Sequence, residues 1–371
     1  MATVTKTIGT SSRDYSTINA WEADLNSASI YSNGDTAVGE MYADSTFTGA
    51  TSTIENGSAI GGSGGHDLAL IKLTVHADSR HDGTAESGAL LKPTADSGHN
   101  QGIIRINVDN VIVEWLDISL DSLDSKNTNK AITLTGTNDD CILRNMLIHD
   151  KGGNPGNTGP FMIHLLGAGT SSDTLTIQNN IIYSIVEGSN DNAAAILVNE
   201  WSGTVNVYNN TIYHIESQGG SKIAFGIRSA HVSGSTSNIK NNIVAKLVGG
   251  NGERAFEDGI ANGSAGTFNE AYNLSDDTST AAYDARGTGS LANKTLAEIG
   301  FVSTTGGSED LHIGTASSVC NMNGVDLGTT NGVDIDINGR DRDALGDTWT
   351  IGAHQFTAIA EDGSAFLLFL D

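Results

Sequence analysis

The chain has 371 residues, of which 38% are hydrophobic and only 17% charged, with 45 Gly and 3 Pro. Such a composition is rich in turn formers and poor in helix formers. It excludes a bundle of long amphipathic helices and fits many short strands joined by turns. The net charge of −25, from 44 acidic and 19 basic residues, repels phosphate backbones and argues against nucleic-acid binding.

The opening, "MATVTKTIG", lacks the apolar run of a secretory signal. No stretch approaches the ~18 apolar residues of a membrane span. The expectation is a chain without a signal peptide, made and folded in a cytoplasm. Two cysteines, Cys141 and Cys320, make no disulfide framework. Further on, Ser16 or Thr17 can cap a helix, and Ile18, Trp21, Leu25 and Ala28 then fall on one face. This predicts a short capping helix within an N-terminal cap, residues 1–37, that plugs one end of the strand-rich body. Irregular first strands are expected over 38–101, in "AVGEMYADSTF", "LALIKLTVHA" and "ALLKP". The Gly-rich "AIGGSGGHD" between them reads as a turn, since it lacks the spacing and Lys of a phosphate loop.

From there the chain repeats itself. "NNIIYSI", "NNTIYHI" and "NNIVAKL" place an Asn pair before a β-branched run at 179, 209 and 241. Taking the second Asn as anchor gives Asn180, Asn210 and Asn242. "LRNMLIHD" adds Asn145 and "AYNLSDD" adds Asn273, at intervals of 35, 30, 32 and 31; Leu116 takes the place 29 residues earlier. Two positions on stand Ile118, Leu147, Ile182, Ile212, Val244 and then Ser275. A period near thirty signals a stacked-repeat architecture. Within each unit, runs of three to six residues alternate apolar and polar and break at Asp, Asn or Gly, which is a strand pattern with no room for a crossover helix. The predicted fold is all-β, a parallel β-helix over 38–285, with one unit per rung. Each Asn is expected at a sharp bend, where it tolerates the left-handed conformation and forms an amide ladder along the stack.

Past residue 285 the rhythm weakens. "SLANKTLAEIGFV" fits one short helix. Final rungs, an irregular C-terminal cap and an apolar tail are expected over 286–371. In that tail Phe366, Leu367, Leu368, Phe369 and Leu370 form a run far too short for a bilayer. It either folds back on the last rung or docks on another chain.

Three phrases in this region carry a resemblance: Ser317 to Gly324, then Asp334-Ile335-Asp336-Ile337-Asn338-Gly339-Arg340, then Ile351-Gly352-Ala353-His354. They resemble the close of many right-handed β-helix proteins of the pectin-lyase-like fold. There, Asp-Gly usually precedes the basic residue directly, where this chain has Asn338-Gly339. The N-terminal "TIGTSSRDYSTINAWEADL" is similar to openings found in proteins of marine phages and environmental sequences. The resemblance covers nearly the whole chain. It implies a right-handed solenoid, and it leaves function open, because one scaffold hosts many activities.

Candidate chemistry is sparse. Asp139-Asp140 is the nearest approach to a catalytic carboxylate pair, yet neighbours on a strand face opposite ways, and the matching positions Asp173 and Gly203 complete no trio. His149 and His214 share one place relative to the anchors, two rungs apart, which is too far for one metal ion. Glu200-Trp201 offers an acid beside an aromatic face that a sugar ring can pack on; the alternative is a Trp closing a loop. Asp334, Asp336, Asp341 and Asp343 form an acidic cluster able to hold Ca²⁺, although Leu345 stands where an EF-hand would place its Glu. The alternative is a plain turn, and no other cofactor is expected.

These readings favour a virion protein without catalysis: a head decoration, fibre or tail component assembled in a host cytoplasm. Its partners would be other virion proteins, such as capsid or tail, or copies of itself. The alternative is a polysaccharide lyase or glycoside hydrolase of tailspike type acting on a surface glycan. A flat ice-binding face is disfavoured because the Thr residues show no repeat in register.

Overall fold

The computed structural model describes residues 1–49, 52–54, 67–94, 102–123, 130–136, 139–153, 159–166, 170, 172–188, 191–232, 234–260, 266–345 and 348–357. The chain is a parallel β-solenoid. Its two α-helices among the described residues, Ile18–Ala23 and Leu296–Ile299, are short, and neither is long and apolar enough to cross a membrane. Three parallel sheets of nine, eight and seven strands run along the stack. The chain visits them in rotation. Val111–Glu114 lies in the first sheet, Asp117–Ser119 in the second and Ile132–Leu134 in the third; Cys141–Arg144 then returns beside Val111–Glu114. Neighbouring strands in a sheet therefore come from successive turns, stacked ~4.8 Å apart.

Alternation in the strands sends every second side chain inward. Ile177, Val207 and Ile239 stack in the first sheet, Ile182, Ile212 and Val244 in the second, and Ile196, Ile227 and Phe256 in the third. All nine are buried in one continuous core. Each such aliphatic side chain contributes roughly 1.5–3 kcal/mol by leaving water.

The parallel ladder reaches into residues 1–37, expected as a cap, and at the other end continues past residue 285. The parallel ladder begins at Thr3–Ile8, which pairs with Thr36–Met41, and runs on to Leu291–Lys294, which pairs with Leu274–Asp276. Between the first two strands sits the helix. Thr17 caps it by accepting from Ala20 N at 3.1 Å. Ile18, Trp21 and Leu25 are all buried, at the end of the core beside Thr3–Ile8 and Ser52–Ile54. Trp21 lies flat against Gly39, where a Cβ would come within 2.7 Å of the indole.

The two Asn of each pair have different tasks. The first, at 179, 209 and 241, takes the bend, with φ of 55°, 53° and 57°. The second is fully buried and builds the ladder. Asn180 Nδ2 donates to Asn210 Oδ1 at 2.9 Å, Asn210 to Asn242 at 3.0 Å, and Asn242 to Asn273 at 3.1 Å. The same amides donate to the carbonyls of Leu143, Ile177 and Val207, and Asn273 donates to Ile239. Each side-chain oxygen also accepts a backbone N–H from the preceding turn, and Ser290 Oγ takes over after Asn273. Asn145 stands one residue out of this column. Leu147 pairs with Ile181, so Met146 fills the ladder place and Asn145, at φ 52°, fills the bend. The inward column accordingly holds Ile148, not Leu147. A lone Asn carries no mark of which of the two places it occupies.

The bend Asn face outward and hold the C-terminal segment. Asn145 Nδ2 donates to Asp336 O at 2.7 Å, Asn179 to Ile335 O at 2.8 Å, Asn209 to Val333 O at 3.1 Å and Asn241 to Val325 O at 2.7 Å. The segment then returns, with Gly352 N donating to Asn241 O at 2.8 Å and Ala353 N to Thr211 Oγ1 at 3.0 Å. Residues 325–345 and 348–353 thus form a strap along the corner between the first and second sheets. Beneath it, Leu147, Ile181, Ile243 and Leu274 pack against Ile299, Leu311, Ile337 and Ile351. Gly352 is required here: its φ is +100°, and a Cβ would meet Ile243 Cδ1 at 2.6 Å.

Replacing Asn210 by Ala leaves the Asn180 N–H and the Ile177 carbonyl without their side-chain partner and removes one of the two donors to the Asn242 amide oxygen inside the core. Unpartnered buried groups cost ~1–3 kcal/mol each, so chemical denaturation of Asn210→Ala should show a loss of about 3 kcal/mol.

Candidate functional site

A cleft of about 1090 Å³ opens where the solenoid meets its strap. One wall is the loop after Leu70–Val75, carrying Arg80, His81 and Asp82. The floor is Trp115, which holds the left-handed bend (φ 65°) between Val111–Glu114 and Asp117–Ser119. The other wall comes from the strand Asp310–Ile313, the turn Asn338–Arg340, and His354 with Phe356. Segments more than 200 residues apart meet because the strap lies along the stack.

Three histidines converge here. His312 Nδ1 is 2.5 Å from Asp310 Oδ1, and its Nε2 is 3.0 Å from Asn338 Oδ1. His354 crosses it edge-on, with ring centres 4.6 Å apart. His354 Nδ1 accepts from Ile313 N at 3.0 Å, which puts the ring proton on Nε2. Burial, then the charges of His312, Arg340 and Arg342, hold His354 down to about 2, so it is neutral. His81 bridges Asn145 O at 2.9 Å and Gly83 N at 3.3 Å, and burial lowers its basicity too. Arg340 is tied to Asp336 at 2.7 Å. Arg80 stacks over Trp115 at 4.4 Å, donates through Nε to Val75 O at 3.3 Å and makes no ion pair among the described residues. Asp82 accepts from the Thr84 backbone and hydroxyl. The cleft therefore offers one guanidinium without a carboxylate partner, among polar groups that are mostly engaged in holding its walls. That arrangement suits retaining a polar ligand better than passing protons.

The residues singled out from sequence lie elsewhere. Asp139 Oδ1 accepts from Asp140 N at 3.0 Å and from Thr174 N at 2.8 Å, while Asp109 accepts from Asp139 N, so these acids cap successive bends. His149 and His214 do not share a column: His149 is level with Tyr183 and Tyr213, and His214 is level with Ser184. The slip is the same one-residue error as at Asn145. Trp201 is 1% exposed, so it presents no face to a sugar. Asp334, Asp341 and Asp343 do come together, whereas Asp336 turns to Arg340. Phe366 to Leu370 and the Gly-rich residues 59–66 lie outside the described residues. Thr174, Thr204, Thr236 and Thr267 do stand in one column of the first sheet, contrary to the sequence expectation. Beside them the Asn206, Asn238 and Asn269 amides bond to one another at 2.9 Å. Of the cleft residues, Asn338 to Arg340 and His354 fall within the phrases that carry the resemblance, but nothing in a one-dimensional pattern joins His81 to His312 and His354.

These features define the class: a three-sheet parallel β-solenoid braced by its own C-terminal strap. In comparisons with known proteins, no family model, no curated protein and no solved structure matches the chain.

His149 gives a pH signature. It is fully buried, stacked on Tyr183 at 5.3 Å and bonded to Asp117 Oδ1 and Asp150 Oδ2, both at 2.8 Å. Burial opposes its charge, but the two carboxylates outweigh burial and raise it to about 9. A raised folded-state value stabilises fully below the unfolded value of ~6.5, and that contribution is lost as pH rises through about 9. Thermal midpoints should therefore fall between these two values in the wild type. The Gln variant at position 149, His149→Gln, should lack that slope.

Proposed function

We propose that this chain is a rigid surface element of a virion, acting without catalysis as a head decoration, fibre or tail component. The observation that supports it most is the double fastening of the corner between the first and second sheets, by an internal amide ladder and by an external strap. A body tied this way resists bending and shear, which is what a load-bearing or displayed surface needs. The acidic surface favours solubility and keeps the chain off nucleic acid. The similarity of the N-terminal opening to those of marine phage proteins points in the same direction. The partners would be capsid or tail proteins, or further copies of this chain, with Phe366 to Leu370 as the docking run. Mass spectrometry of purified particles should find the full chain in stoichiometric amounts. A chain lacking residues 364–371 should fail to co-purify with the particles. Recovery of the chain solely among free soluble proteins would refute the reading.

The cleft favours a second reading, a polysaccharide lyase or hydrolase, because Arg80, Asp82 and the Asp310–His312 pair face one space. A panel of polyanionic and neutral glycans, incubated with and without Ca²⁺, separates the two. The non-catalytic reading expects no new reducing ends and no unsaturated products.

A further inference from the structure

Three carboxylates meet on the strap. Asp334 and Asp341 stand on facing segments, joined by the antiparallel bridge between Ile335 and Asp341 and by Arg342 N donating to Asp334 O at 2.8 Å. Asp343 opens the short turn Asp343–Leu345. Each of the three offers an oxygen within 4.8 Å of the other two. A separate observation marks the place as unfinished: Asp334 is 8% exposed, and its Oδ1 is buried with no hydrogen-bond partner. The nearby cations do not answer it. Arg144 is paired with Glu114 and donates to Asn331 O, Arg340 is committed to Asp336, and Arg342 is turned inward onto Gly352 O and Ala353 O, both at 2.9 Å. Among the described residues, none of the three acids makes an ion pair.

An unpartnered carboxylate oxygen beside two like charges is costly inside a protein, and a shared cation removes both penalties. We propose that Asp334, Asp341 and Asp343 bind one divalent cation, and that Ca²⁺ is the ion that fits. All three donors are hard carboxylate oxygens, with no nitrogen or sulfur to favour a softer metal. Ca²⁺ holds its oxygens at ~2.3–2.6 Å, so two ligands of one ion stand at most about 5.2 Å apart, a limit that these three atoms meet. The remaining coordination falls to water and backbone carbonyls. The site ties the Asp341–Asp343 turn to the segment that Asn179 and Asn209 grip through Ile335 and Val333. Bound Ca²⁺ therefore fastens the strap. This inference does not depend on the virion reading.

Trp349 supplies a built-in reporter, since its Nε1 donates to Asp343 Oδ1 at 2.9 Å. Terbium, a luminescent stand-in for Ca²⁺, is added to the full chain and the indoles are excited. The expected result is sensitised emission that Ca²⁺ displaces. Trp349→Phe should lose the emission while calorimetry still detects Ca²⁺. The double variant Asp341→Asn with Asp343→Asn should lose at least about tenfold in Ca²⁺ affinity, and Ca²⁺ should raise its melting midpoint less than it raises the wild type's. Asp343→Asn alone serves if Trp349→Phe does not fold. Emission and Ca²⁺ affinity unchanged in the Asn variants would place the ion elsewhere on this acidic surface and overturn the proposal.

Discussion

A buried corner is the constraint on which the molecule rests. A solenoid of three sheets must turn inside its own wall, and each turn leaves backbone N–H and C=O groups with no strand beside them. Buried polar groups of this kind have to find partners. The Asn pair meets the need from both sides at once. One amide turns inward and bonds to the turns before and after it, and the other adopts the left-handed bend and bonds outward to the strap. Remove that provision and the apolar columns of Ile and Val would still attract, but their register would slip. The core supplies most of the driving force, and the corners fix where it acts.

How much of this can be read from the amino-acid order depends on which interactions are local. The stacking is legible because the inward column repeats every turn in Ile182, Ile212 and Val244, and because Asn180, Asn210 and Asn242 recur with it. The capping helix is legible because Ile18, Trp21 and Leu25 have helical spacing behind a Thr cap. Register at Asn145 is not, since a single Asn next to Met146 fits either place until the pairing of Leu147 with Ile181 is known. That slip of one residue moves a side chain to the opposite face, which is why His149 and His214 look aligned in the sequence and are not aligned in space. The first strand, Thr3–Ile8, is too polar to stand out from its surroundings. The candidate cleft and the strap are hidden for a different reason. They depend on residues 325–356 lying against residues 80–243, a pairing with no periodicity to betray it.

Charge is distributed unevenly between inside and outside. The net charge of −25 lies mostly at the surface, yet a fully buried Arg342 sits at the centre of the strap. It donates to the Thr350, Gly352 and Ala353 carbonyls and to Gln355 Oε1. Burial, against the pull of Asp336, lowers it to about 10. One guanidinium with several donors can satisfy several carbonyls that no sheet reaches. It organises the irregular strap much as the Asn ladder organises the regular turns. Glu114 plays a comparable part on the first sheet, where it accepts from Thr74 at 2.7 Å and pairs with Lys72 and Arg144.

The strap also imposes an order of events on synthesis. Its partners are the bend amides at 145, 179, 209 and 241 and the apolar row of Leu147, Ile181, Ile243 and Leu274, all of which leave the ribosome first. Until the segment from Ile299 to Ala353 emerges, that row is an open greasy flank with unanswered amides along its edge. The closing segment can lie down on a complete and correctly registered stack, because its carbonyls meet four amides at fixed steps. A nascent solenoid one rung short or one residue out of phase offers no such track. The strap thus acts as a gauge that reads whether the earlier turns have been wound true.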